Sequence, residues 1–405
     1  MRKKFLTIVI FISLFTFTFL SGNRISEAQE PYVIGYITDA TGIFKANLHP
    51  ESEGFRLYID DLNARGGING HPIKLIIEDG KSEASMSMAV AKKLIEKDNV
   101  LALVGLGVSD AHPPVIELAR KAKVPILTGY ICISKSWDTQ PGDVIFATGM
   151  SMHADYHAGG YTVARGIQLM YPRGTRMGIL GMTLSGSRIW NDWVVEWIKK
   201  WGFEVLYRDE IAPGTVDVSS WCIKMVNANP DAVYSGASMV QMPLALTLEK
   251  MGYIKDFMIT DFTPEADVAK IVSRLTGNGE NLLWVSRYVS PNENIPELDK
   301  IRMAIKKYGA NYPISARHCQ GWVMGSIVEA ALKKTGYPCT REDLITALEK
   351  TNVDTRGLTG GPIIFTSKDH HGPSWFKVYK WNANRKGSMP AKDWFKVETE
   401  GVAKK

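Results

Sequence analysis

His153 and His157, one helical turn apart in "HADYH", are the pair best spaced to bind a metal. They lack the glutamate of H-E-x-x-H, and no third ligand stands beside them. Gly105-x-Gly107 follows an apolar run, yet the third glycine of a dinucleotide-binding loop is missing. Neither G-x-x-x-x-G-K-S/T nor G-x-S-x-G occurs, and His370-His371 reads as solvated loop in a Gly/Pro turn. The cysteines, at 132, 222, 319 and 339, show no metal-site spacing. A helix over 319–334 would leave Cys319 ~22 Å from its far end. The residues up to Cys339 retrace at most ~17 Å, so that pair is not expected to bridge. The sequence asks for no metal, no cofactor and no catalytic centre. What remains is recognition by hydroxyls, backbone N–H groups, aromatic rings and single acids.

The chain has 405 residues, 45% hydrophobic and 22% charged, a globular composition with length for more than one core. Its first thirty residues differ from the rest. Arg2, Lys3 and Lys4 precede the apolar run at 5–20, and Ser26-Glu27-Ala28 supplies small residues for cleavage. This is the layout of a secretory signal peptide over 1–28, cleaved near Ala28. The run falls short of the ~18–20 residues of a membrane-spanning helix, and no cysteine precedes Cys132 for lipidation. Residues 1–28 carry Arg2, Lys3, Lys4 and Arg24 against Glu27, so the charge falls from +6 to +3 on cleavage. No basic block is dense enough to suggest nucleic acid. The expectation is an exported, soluble, periplasmic monomer.

From Tyr32 the pattern alternates. "YVIGYITD", "HPIKLIIED", "VLALVGL" and "VPILTGY" are short apolar strands, separated by amphipathic helices over about 51–64, 82–98 and 110–123. Gly66-Gly67 closes the first helix, and Asn69-Gly70 turns the chain into the second strand. After "DVIFATGM" the rhythm restarts, with strands "RMGILGM", "FEVLYRDEI", "DAVYSGA" and "DFMITDF" and the Trp-rich helix "SRIWNDWVVEWIKKWG". "NLLWVSRYV", helices near 296–308 and 318–334, "REDLITALEK" and the strand "SWFKVYKWN" follow. Such alternation predicts an α/β protein of two doubly wound parallel-sheet lobes.

The segment "GFRLYIDDLNARGGINGHPIKLIIEDGKSEASMSMAVAKKLIEKDNVLALVG", together with "PGTVDVSSWCIKM" and "NANPDAVYSG", carries a further signal. It resembles the solute-binding proteins of ABC importers, in the leucine/isoleucine/valine-binding branch, over about Tyr32 to Trp381. The resemblance implies a type I periplasmic-binding fold, with two lobes joined by three hinge crossings near Met150, Arg287 and Gly357. Residues 31–150 and 287–357 would form lobe I, and 151–286 and 358–405 lobe II. It implies capture of an amino acid and its delivery to an ABC permease in the inner membrane. An aromatic carboxylate, another organic acid or an amide is the alternative ligand. A ligand-sensing receptor partner is the alternative role.

Ligands of parallel α/β sheets lie beyond the carboxyl ends of the strands, where helix N-termini offer N–H groups. There the resemblance places Gly107 and Ser109, the serine holding a ligand carboxylate; a plain helix N-cap is the other use of Ser109. It puts a small residue and a threonine where this chain has Tyr130 and Cys132, so Tyr130 reads as an aromatic wall or as a buried loop tyrosine. Asp261 stands where the family pairs an acid with a ligand ammonium; otherwise it serves the turn before Thr263-Pro264. The second lobe lacks the family's usual aromatics; Trp190 or Met239 replaces them, Ser238 stands beside Met239 as a further ligand contact, and Arg188 is open to an acid. Trp190, Trp193, Trp197 and Trp201 also share the spacing of a core stripe.

Overall fold

The computed structural model describes residues 29–132, 140–152, 158–259, 265–372 and 375–397. The first half runs β1 (Tyr32–Thr38), α1 (Lys45–Ala64), β2 (Ile73–Asp79), α2 (Ala84–Glu96) and β3 (Ala102–Val104). A 3-10 turn over Ser109–Ala111 then leads into α3 (His112–Ala122), β4 (Ile126–Cys132) and β5 (Ile145–Met152). These five strands form one parallel sheet in the order β2-β1-β3-β4-β5.

The second half repeats the plan with α4 (Ala158–Met170), β6 (Arg176–Met182), α5 (Ser185–Lys200), β7 (Glu204–Ile211), α6 (Ser219–Ala228) and β8 (Ala232–Ser235). It continues through α7 (Gln241–Lys250), β9 (Asp256–Ile259), α8 (Glu265–Val272) and β10 (Leu282–Ser286). The chain then returns to the first lobe for α9 (Pro296–Tyr308), α10 (Ala316–Thr335), α11 (Arg341–Leu348) and the short pair β11 (Asn352–Val353) and β12 (Ile363–Ile364). It finishes in the second sheet with β13 (Trp375–Asn382) and β14 (Gly387–Lys396). That sheet reads β14-β13-β10-β9-β8-β6-β7, parallel from β10 to β7. Its other edge is antiparallel, because β13 and β14 arrive as a hairpin. The expected all-parallel second sheet is corrected at this edge.

The cores separate the lobes. Ile34, Tyr36, Phe55, Leu103, Ile126 and Phe146 pack with Val323, Leu358, Ile363 and Phe365 around the first sheet. Residues on the two faces of the second sheet form two more clusters. Leu358, Ile363 and Phe365 belong to the first core, and Gly372 N–H donates to the Ala147 carbonyl of β5. β5 stays paired to β4 through Met152. At the second crossing Val285 belongs to the second lobe's core and Tyr288 to the first, on either side of Arg287.

Close helix contact stiffens the first lobe. A Cβ on Gly321 of α10 would lie 1.9 Å from the Glu51 carbonyl oxygen of α1, and one on Gly54 would lie 2.2 Å from the His318 carbonyl oxygen. Buried polar pairs run along this crossing. Tyr36 Oη donates to Glu51 Oε1 at 3.1 Å, Arg317 Nη1 lies 3.9 Å from Glu51 Oε2, and His318 Nε2 lies 3.4 Å from Glu53 Oε2. Burial pushes the Glu51 carboxyl up, while Arg317, the Tyr36 hydroxyl and Arg287 oppose that rise.

Candidate ligand cleft between the lobes

Both sheets change winding direction once, between β1 and β3 in the first lobe and between β6 and β8 in the second. Chains leaving adjacent strands at such a point diverge to opposite faces and leave a crevice between their loops. The two crevices meet. A cavity holding about 660 Å³ of empty space, its open mouth included, is lined from lobe I by Phe44, Asn47, Leu48, Val108, Ser109 and Tyr130. Lobe II contributes Met182, Leu184, Gly186, Ser187, Trp190, Tyr234, Gly236 and Ser238. Among the described residues no Asp, Glu, Lys, Arg or His side chain lines it. Leu48 and Tyr130 pack into the core cluster that contains Trp190 and Tyr234, so the lobes are in contact across the cleft.

The electrostatics come from backbone. The N–H groups of Val108, Ser109 and Asp110 donate to no described protein acceptor, and they precede the axis of α3. From the other lobe, α5 starts at Ser185 and directs its first turn, with Gly186 and Ser187, at the same cavity. Each helix start carries roughly half a positive charge. Two such ends facing one apolar-walled space suit an anion. The Ser109 hydroxyl caps neither the 3-10 turn nor α3, which leaves it available at the cavity wall.

The walls are held by specific bonds. Trp190 Nε1 donates to Tyr234 Oη at 2.8 Å, which fixes the indole as the floor on the second-lobe side. Tyr130 Oη donates to the Gly107 carbonyl at 2.6 Å, and His112 Nε2 lies 3.2 Å from the same oxygen. His112 is fully buried and its pKa is lowered to about 4 by desolvation, so at neutral pH its ring is uncharged. Across the mouth, Ser185 Oγ donates to Asp110 Oδ1 at 2.9 Å, joining the two lobes.

Of the residues expected at the site, Ser109, Tyr130, Trp190 and Ser238 line this cavity. Gly107 adjoins it through its neighbour Val108, and its own carbonyl is turned into the Tyr130–His112 pair. Met239 packs instead on the second lobe's core, beside the lining rather than in it. Arg188 is engaged at 2.7 Å by Glu210 on the surface. The backbone of Cys132 ends β4 opposite Met152, and its side chain lies outside the described residues, as do Asp261 and the histidines of "HADYH". Of the tryptophan stripe, only Trp190 enters the cavity, while Trp197 and Trp201 gather around Tyr161.

Phe44, Asn47, Leu48, Tyr234 and the α5 turn were not singled out as contacts from sequence. The signal for Phe44 was available, because it follows the end of β1 just as Ser109 follows β3. Among the described residues no cluster of His, Cys, Asp and Glu is placed to hold a metal, and no helix is long and apolar enough to cross a membrane. Among the described residues Cys222, Cys319 and Cys339 form no disulfide.

Comparison with known proteins agrees with this architecture. A segment of 103 residues is 32% identical to an amino acid binding protein of Pseudomonas aeruginosa, covering 25% of this chain and 28% of that one. The Leu/Ile/Val-binding protein of Escherichia coli K12 is 22% identical over 338 residues, 82% of this chain and 86% of that protein. A solute-binding protein of R. palustris, solved in complex with 4-hydroxybenzoate, superposes with a TM-score of 0.76 at 16% identity, covering 93% of this chain and 100% of that one. The family model described as periplasmic binding protein matches residues 31–387. With the cleft at its paired switch points and a family match over nearly its whole length, the chain belongs to the periplasmic binding protein family and is homologous to the Leu/Ile/Val-binding proteins.

Proposed function

We propose that the chain is the extracytoplasmic receptor of an ABC importer, closing its lobes on a small carboxylate with an apolar body and presenting it to a membrane permease. The observation that carries this reading is the pairing of two helix N-termini, one from each lobe, over a cavity otherwise walled by Phe44, Leu48, Tyr130, Met182, Leu184 and Trp190. A carboxylate seated there accepts hydrogen bonds from Val108, Ser109 and the α5 turn. The attraction is strongest when both lobes are in place, so binding shifts the population toward the closed form. No resident cofactor or metal enters this role.

An amino acid is the ligand class that the family suggests, and in that reading Asp261 meets the ammonium. A second reading, an aromatic or aliphatic acid without an amine, is favoured by one feature. Tyr130 stands where the resemblance places a small residue, and its proton is committed to Gly107. It therefore offers ring surface rather than a donor. Thermal-shift titration with L-leucine, L-phenylalanine, benzoate, 4-hydroxybenzoate and their amides tests both readings. A cognate ligand at a hundred times its Kd adds about 2.7 kcal/mol of stability. Amino-acid shifts that disappear in Asp261→Asn support the amine reading, and acid-only shifts indifferent to Asp261→Asn support the other. If amides bind as well as acids, the carboxylate proposal fails.

A further inference from the structure

The Gly107–Val108 peptide decides whether the first-lobe side of the cleft offers a donor or an acceptor. In a trans peptide the C=O and the following N–H point in opposite directions. The orientation of this unit is set by ψ of Gly107, a residue whose φ of +69° already lies in the region open to glycine, and by φ of Val108, which is −66°. In the structure its carbonyl oxygen is occupied from two sides, by Tyr130 Oη at 2.6 Å and His112 Nε2 at 3.2 Å. A carbonyl has two lone pairs, and both are used. Val108 lines the cavity and Gly107 does not, which fits an oxygen turned out of the cleft and an N–H turned toward it. The rings of His112 and Tyr130 lie 4.8 Å apart, so one packed unit supplies both donors. Burial keeps His112 neutral with Nε2 as the donor.

We propose that Tyr130 and His112 are positioning residues for ligand charge: together they pin the Gly107 carbonyl away from the cleft, so that Val108 N–H and the Ser109 turn face a carboxylate. The assignment rests on the carboxylate reading above. A full flip is barred, because it would carry the β-branched Val108 to positive φ, but without the pin the unit is free to tilt, bringing the carbonyl oxygen toward the anion and turning the Val108 N–H off it. Because position 130 departs from the pattern this chain resembles, the pin is a feature of this chain's own residues.

The test measures the ratio of acid to amide affinity with two pairs of probes, benzoate with benzamide and L-leucine with L-leucinamide, by calorimetry. Tyr130→Phe keeps the ring and deletes one donor, and His112→Leu deletes the other. His112→Gln restores a donor at comparable reach. Each deletion is expected to lower the acid-to-amide ratio about fivefold, the worth of one hydrogen bond on a buried group, with amide affinity little changed. His112→Gln should recover most of the ratio. A role in packing alone would weaken acid and amide equally and leave the ratio flat, which overturns the proposal while leaving the carboxylate reading intact. A wild-type ratio near one for both pairs overturns the carboxylate reading and the pin with it.

Discussion

Removing the bond between Asp110 and Ser185 should speed ligand release without slowing capture. Asp110 belongs to the turn after β3 and Ser185 opens α5, so their 2.9 Å bond exists only when the lobes are together. The Asp110 carboxylate also sits at the positive end of α5, a favourable placement for an anion. Hydrogen bonds to charged groups are worth about 1.5–3 kcal/mol, but both partners here are solvent-exposed, so about 1 kcal/mol is the appropriate figure. That energy belongs to the closed state alone and corresponds to about a fivefold rise in the release rate. The assay is stopped-flow displacement of whichever panel compound binds, in Asp110→Ala, Ser185→Ala and the double variant. Each single variant should release ligand about three- to fivefold faster, with the association rate changed less than twofold. The double variant should be no faster than either, giving a coupling near 1 kcal/mol. Additive effects within about 0.3–0.5 kcal/mol would refute the clasp. So would a change confined to association, which would mean that Asp110 acts on the open form.

Two further outcomes concern stability. His112 is held uncharged in the folded protein, its pKa lowered from 6.5 to about 4 by burial. The unfolded chain takes up a proton as pH falls through 6.5 and the folded chain resists it. The neutral ring's contribution is therefore intact above pH 7 and is lost progressively down to about pH 4, by roughly 3 kcal/mol. Urea denaturation at several pH values should show a shallower decline over that window in His112→Gln than in wild type; parallel slopes would rule out this assignment. Gly321→Ala forces a Cβ to within 1.9 Å of the Glu51 carbonyl oxygen and 2.5 Å of the Phe55 nitrogen, both backbone atoms. A loss of at least about 3 kcal/mol follows, at the upper end of overpacking costs. At Gly277 the added Cβ would meet only the Glu249 carboxylate at 3.2 Å, so Gly277→Ala is the tolerated control in the same urea series.

The alternating strands and helices of both lobes were legible because buried parallel strands read as short apolar runs between amphipathic helices. The departures have local causes. Helix α1 begins at Lys45, ahead of the expected Glu51, since Pro50 and the polar residues before it carry no helical signal. Strand β14 contains Pro390 and several charges and is tolerated at a sheet edge, where β13 is its only strand partner among the described residues. Leu358 and Phe365 reach the first core from irregular backbone and Ile363 from the two-residue strand β12, too short to show a period in the sequence. At the site, Ser109 could be read as a residue just past a strand. Tyr234 could not, because inside "AVYS" it looks like any core tyrosine until its hydroxyl is seen on Trp190.

The same economy recurs behind the cleft wall. An anion site of the kind proposed must keep carbonyl oxygens away from the ligand, and two glycine carbonyls beside this cavity are occupied by paired side-chain donors. At Gly107 these are Tyr130 and His112. At Gly129, the residue before Tyr130, they are Gln320 Nε2 at 2.8 Å and Arg287 Nη1 at 3.3 Å. Arg287 is fully buried at the second lobe crossing, and a Cβ on Gly149 would meet its Nη1 at 1.9 Å. Burying a guanidinium is costly unless it is paired and bonded. Here the compensation includes the Gly129 carbonyl and the field of nearby Glu51. The crossing and the cavity wall therefore share one polar network. Arg287 bonds the carbonyl of the residue just before Tyr130, so the chain between β10 and α9 and the aromatic wall of the cavity are joined through a single peptide.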